Sequence, residues 1–147
     1  MRELADTDAA YRSITASWMQ HSPLPDLFAA IATDPQATLI LTTDHGTIRV
    51  ENAVRVAATR DVNPNTRYKI GRDLGVSSSR IITVKDPGPW GLPSPGFAAV
   101  YIFATGRDFF AYPTNFNTYA RHLAGTLQHG GVSLSEMLLP FITLTPR

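Results

Sequence analysis

The sequence predicts an α/β domain, and three observations carry the prediction. Two stretches at helical spacing open the chain, a short β-branched run follows them, and polar residues stand where that run breaks off. At 147 residues with 44% hydrophobic content the chain is about one domain long and can bury a core. In open α/β sheets ligands sit beyond the carboxyl ends of the strands, so the strand ends are where candidate functional residues are sought.

The first 31 residues place Leu4, Tyr11, Ile14 and Trp18, then Leu27, Phe28 and Ile31, at helical spacing. His21-Ser-Pro-Leu-Pro between them divides the stretch into two helices. Asp34-Pro-Gln is a turn, and Thr38 to Thr43 reads as a strand buried on both faces, ending in Asp44-His45-Gly46. From Thr47 to Arg60 apolar residues alternate imperfectly with Arg49, Glu51 and Arg55, which predicts extended structure with one basic face. Asp61 to Arg67 is a loop and Ser79 to Val84 a further strand. Asp86 to Gly96 packs four prolines and three glycines into eleven residues, a long stiff loop. Ala98 to Thr105 and Asp108 to Tyr112, split by Gly106-Arg107, read as a hairpin. Asn117 to Gln128 reads as a helix stopped by His129-Gly130-Gly131. Ser133-Leu-Ser-Glu136-Met caps a short turn, and Leu138 to Leu144 gives a final strand.

Several classes are excluded. With no cysteine there is no disulfide scaffold, thiolate zinc finger, iron–sulfur cluster or cysteine nucleophile, so any metal must take His, Asp or Glu. A net charge of +1 is far from the basic balance of a dedicated nucleic-acid binder. No apolar run approaches the roughly 18 residues of a membrane span, and the N-terminus lacks a signal-peptide core. The chain reads as soluble and cytoplasmic.

The strongest local signal is Asp44-His45 at a strand end, where a carboxylate and an imidazole can turn toward one metal. The same tripeptide also reads as a polar turn in which Asp44 caps backbone amides. His129 is the second candidate ligand, since the two glycines behind it allow close backbone approach; its other reading is a helix-terminal histidine. His122 is expected to be structural or exposed, and His21 to cap. Arg49, Arg55, Arg60, Arg67, Lys69 and Arg72 gather six of thirteen cations within 24 residues. Guanidinium forks suit phosphate oxygens; the competing reading is a solvated face paired with Glu51, Asp61 and Asp73.

Four blocks in order carry a resemblance: Thr42-Thr-Asp44-His45-Gly46-Thr-Ile-Arg49, Asn65-Thr-Arg67-Tyr-Lys69, Asp108-Phe-Phe-Ala-Tyr-Pro-Thr-Asn-Phe-Asn117, and Gln128-His129-Gly130-Gly131-Val-Ser-Leu-Ser-Glu136-Met with Pro140. The chain closely resembles the PglZ domain, most of all the effector domain of PorX-type response regulators, a branch of the alkaline phosphatase superfamily. The resemblance runs over essentially all of residues 1–147, taken as a single partial domain. It implies an alkaline-phosphatase-like sheet with flanking helices and a two-metal, zinc-type phosphohydrolase or phosphodiesterase site for a phosphate-ester or nucleotide substrate. Asp44 and His45 would ligate one ion and His129 the other, with Arg49 and Lys69 holding phosphoryl oxygens. The superfamily site also needs an earlier Asp ligand, a Thr or Ser nucleophile and an Asp-x-x-x-His. No such motif precedes Asp44, and Thr42 and Thr43 stand too close to replace the nucleophile. The chain is therefore expected to be the C-terminal part of the domain, incomplete as an enzyme by itself.

Three readings compete. The first is a metal-dependent phosphodiesterase completed by a missing half. The second is a non-catalytic PglZ-like remnant that serves signalling as a binding or oligomerisation module, associating as a homo-oligomer through an exposed sheet edge. The third is nucleic-acid binding through the Arg49 to Arg72 cluster, which would weaken steeply with salt.

Overall fold

The computed structural model describes residues 5, 7–57, 63–76, 78–94, 96 and 98–146. Leu4, Arg60 and Asp61, each named above, and Pro95 within the Asp86 to Gly96 loop lie outside the described residues. The chain divides into two compact units, Met1–Thr43 with Pro140–Arg147, and Asp44–Leu139.

In the first unit, α1 spans Asp8–His21 and α2 spans Leu24–Ala32, the two helices expected. The Thr7 hydroxyl accepts the Ala10 amide at 3.1 Å and starts α1. The His21 ring donates from Nδ1 to the Ser17 carbonyl at 2.8 Å, so this histidine closes its own helix. Pro23 and Pro25 flank the start of α2, where a missing amide hydrogen costs nothing. Strand β1, Leu39–Thr42, pairs antiparallel with the C-terminal strand Phe141–Leu144, Leu39 opposite Leu144 and Thr42 opposite Phe141. The expectation that this run is buried on both faces is corrected: β1 alternates half-buried and exposed, with Ile40 52% exposed. A two-stranded ladder covers one face at most, and here Leu39 and Leu144 meet Phe28, Ile31 and Ala32 around an apolar hollow of about 230 Å³.

The second unit holds nearly all the buried apolar side chains. Its strands are β2 (Ile48–Arg49), β3 (Asn52–Ala57), β4 (Tyr68–Gly71), β5 (Gly75–Val76), β6 (Ile81–Val84), β7 (Val100–Ala104), β8 (Asp108–Ala111) and β9 (Leu127–Gln128), so the strand of the first unit's C-terminal segment is β10. Strand β3 runs parallel to β8 and antiparallel to β5; β7 lies between β4 and β6, antiparallel to both; β2 pairs antiparallel with β9. Period-two alternation sorts the core. Val54, Val56, Ile102, Ala104 and Phe110 form one cluster, Val50, Phe109 and Ala111 a second, and Val84, Tyr101 and Phe103 a third. Each large side chain so buried contributes about 1.5–3 kcal/mol. Both faces of β8 are covered, Phe110 on one and Phe109 with Ala111 on the other.

Two sequence expectations fail here for identifiable reasons. Strands β7 and β8 adjoin through Gly106-Arg107 but do not form a hairpin. The Arg107 carbonyl is taken by the Glu51 and Asn52 amides at 2.8 and 3.2 Å, and the Phe110 amide donates to Thr66 at 2.7 Å, which sends β8 to β3 instead. Helix α3 is only Phe116–Leu123. Gly125, at φ +75°, turns the chain out of the helix, its amide reaches the Val50 carbonyl at 2.7 Å, and Leu127–Gln128 join β2. His129 therefore follows a strand, and the helix-terminal reading is withdrawn. Among the described residues no helix is long and apolar enough to cross a membrane.

Candidate metal centre

Asp44-His45-Gly46 leaves the end of β1 and His129-Gly130-Gly131 leaves the end of β9, and both loops lie in the second unit. The rings of His45 and His129 stack with centroids 3.8 Å apart and planes 10° from parallel. His45 Nδ1 is 3.0 Å from the Gly46 carbonyl, which can only accept, so that nitrogen is the donor of this bond. Nε2 lies 3.7 Å from Asp44 Oδ1, near the roughly 3.3 Å between two donors bound to one tetrahedral zinc by bonds of about 2.0 Å. Asp44 Oδ1 also accepts the His45 amide at 3.0 Å, so the turn-capping reading of this tripeptide holds.

The donor set suits a borderline metal. An imidazole binds an ion in its ring plane, so two stacked parallel rings cannot share an ion placed between them. Each ring could serve its own ion. Asp44 with His45 could offer two donors on one side and His129 one on the other. Among the described residues no three His, Asp or Glu side chains gather into one cage.

Residues that were not expected to be ligands hold these loops together. The Gly46 amide donates to the Glu136 carbonyl at 3.0 Å, and a Cβ on Gly46 would fall 2.0 Å from the Ser135 carbonyl oxygen, so only glycine fits. The Glu136 carboxylate accepts the Gly131 amide at 2.9 Å and the Ser133 hydroxyl at 2.6 Å. It receives both arms of the Arg67 fork, Nε to Oε1 and Nη2 to Oε2, each at 2.9 Å. Arg67 Nη1 donates to the Asp108 carbonyl. Asn65 Nδ2 reaches the His129 carbonyl at 3.2 Å while its Oδ1 accepts the Arg67 amide at 2.7 Å. Burial pushes the Glu136 carboxyl up, but the bonds from Arg67, Ser133 and Gly131 and the Arg67 charge outweigh it and hold it below the usual glutamate range. The Ser133-x-x-Glu136 spacing could have signalled Glu136, since it closes a capping box on α4, Leu134–Met137. No sequence signal pairs Glu136 with Arg67, 69 positions away.

The basic set separates accordingly. Arg67 has a fully buried side chain, so its assignment to a phosphate-facing or solvated cluster is corrected. Arg55 lies over the Phe116 ring at 4.4 Å, and Glu51 pairs with Arg107 rather than with the cluster. Arg49 sits on β2 opposite Leu127, two residues before His129, and donates to the Gly125 carbonyl. Lys69, only 1% exposed, donates to the Asn63 carbonyl at 2.8 Å and to the Tyr112 hydroxyl at 3.2 Å. His122 is exposed on α3.

These features define a mixed helix-and-sheet domain whose acid–imidazole pair faces a second histidine across two glycine-bearing loops. Residues 3–144 match the family model of the BREX system PglZ alkaline phosphatase-like domain, and the chain belongs to that family. No curated protein matches it. The family falls in a phosphoesterase superfamily that is generally metal dependent.

Proposed function

We propose that this chain carries part of a two-zinc phosphohydrolase or phosphodiesterase site acting on a phosphate ester, with Asp44 and His45 on one ion and His129 on the other. The stacking of the His45 and His129 rings at 3.8 Å supports it, because it brings two imidazoles side by side with the Asp44 carboxylate next to one of them. Zinc, when bound, would supply Lewis-acid stabilisation of the phosphoryl oxygens. Arg49, on the strand that ladders into His129, would orient those oxygens through its guanidinium. Lys69 would add to that role only by exchanging Asn63 and Tyr112 for substrate, which makes Arg49 the more direct partner. The nucleophile and remaining ligands are assigned to further chain of the same domain, since no Asp-x-x-x-His precedes Asp44. The order of the motif blocks favours the PorX-type branch, hence an output role in two-component signalling in the cytoplasm, and the open β1–β10 ladder, with Phe141 71% exposed, favours homo-oligomeric association.

Zinc per chain in the purified protein tests the ligand assignment, with Asp44→Ala and His129→Ala alongside. The wild type is expected to hold one or more ions, and each variant to lose at least tenfold in affinity with its circular dichroism unchanged. A folded wild type that binds no zinc at micromolar concentrations overturns this reading in favour of a non-catalytic module.

A further inference from the structure

One residue reaches both histidine loops. Glu136 accepts the Gly46 amide on its backbone carbonyl at 3.0 Å, one position after His45. Its carboxylate accepts the Gly131 amide at 2.9 Å, two positions after His129. That carboxylate is itself fixed by Arg67, whose third nitrogen donates to the Asp108 carbonyl at the start of β8. A Cβ on Gly131 would stand 2.7 and 2.8 Å from the two carboxylate oxygens and 3.0 Å from Arg67 Nε, so the loop is pressed onto the pair with no slack. A fully buried ion pair is weak evidence for stability, because desolvation offsets most of the attraction. Its placement here, between the two loops and the core strand β8, gives it a different use.

We propose that Glu136, held by Arg67, is a positioning residue that sets the spacing of His45 and His129 by tying their two loops to one buried carboxylate and its own backbone carbonyl. The proposal rests on the reading of these histidines as a site, and its geometric content is independent of any metal. Bidentate pairing fixes the carboxylate plane as a lysine partner would not, so the Gly131 amide is aimed from a rigid acceptor. A side chain that served only to stabilise the fold would change the unfolding midpoint and leave the stacked rings as they are.

The test is the inter-ring nuclear Overhauser effect between His45 and His129 in the isotopically labelled full chain, measured together with zinc titration. Glu136→Gln is expected to remove the cross-peaks between the rings while those of Phe109 and Phe110 persist. Zinc affinity should fall about 10–100-fold, as for other groups that orient ligands. If Glu136→Gln fails to fold, the double variant Arg67→Met with Glu136→Leu decides the matter, since removing both charges leaves no unpaired ion in the core. Inter-ring cross-peaks of wild-type strength in either folded variant overturn the proposal. A wild type that shows the cross-peaks yet binds no zinc refutes the metal reading and leaves the tie to be judged by the variants. Unchanged zinc affinity and unchanged cross-peaks in the variants refute the tie and leave the metal reading standing.

Discussion

Among the described residues the buried Lys69 ammonium meets an amide carbonyl, a phenol oxygen and the Tyr112 ring at 4.5 Å from Nζ, and no carboxylate. Burial lowers its pKa from 10.5 to about 8. The unfolded chain keeps that proton until near pH 10.5, so between about pH 8 and 10.5 the unfolded state binds more protons than the folded one. Unfolding free energy therefore rises with pH across this window. Tyr112 acts oppositely, because burial raises its pKa above the usual 10.0 and the folded state keeps a proton that the unfolded state gives up. The urea midpoint is expected to climb from pH 8 toward 10 and turn over above that. Lys69→Met should abolish the climb, and a wild-type midpoint that stays flat from pH 8 to 10 would refute the assignment. None of this was legible in the residue string, where Lys69 is one cation among six. Its burial comes from the alternation of β4, which turns Lys69 inward.

At the scale of elements, Gly125 decides where α3 ends and β9 begins. Its φ of +75° lies in the left-handed region, and open space surrounds the position where a Cβ would stand. Gly125→Ala thus tests backbone strain alone, and is expected to cost about 1–2 kcal/mol, read as a lower urea midpoint at constant m. Gly125→Asn should recover part of the loss, since asparagine tolerates this region; equal midpoints for wild type and Gly125→Ala would show that the turn is not set here. Elements with strong local signals were legible: α1 and α2 from spacing and prolines, β6 from its β-branched run, α4 from its capping spacing. What failed was set by partners distant in sequence. Spacing carried the expected helix on to Gln128 because Leu123 and Leu127 share a period, but β2, some 78 positions earlier, takes Leu127 and Gln128 into a ladder. Gly106-Arg107 has the composition of a hairpin turn, yet Glu51 and Asn52 occupy the Arg107 carbonyl. For the site, Asp44, His45 and His129 stood out by residue type, whereas Arg67 and Glu136 are defined by a pairing that no local pattern announces.

Across the whole molecule, stability should be uneven, because buried apolar surface is. In the second unit three clusters bury Val54, Ile102, Phe109, Phe110 and their neighbours. In the first unit, α1 and α2 bury no residue and every position of β10 is exposed. Ala5 is the only buried apolar residue described there. Local opening is governed by how little burial must be lost, so helices and ladders without buried side chains open at far lower free energy than core strands. Amide hydrogen exchange read by mass spectrometry should show α1, α2 and β10 exchanging at least a hundredfold faster than β3, β7 and β8. Adding chain that covers the exposed Ile40, Phe141 and Ile142 should slow the first group and leave the second unchanged. Equal protection of β10 and β8 in the chain at low concentration would mean that the first unit gains its stability from interactions other than apolar burial. Rising protection of β10 with protein concentration would place that gain in self-association through the β1–β10 ladder.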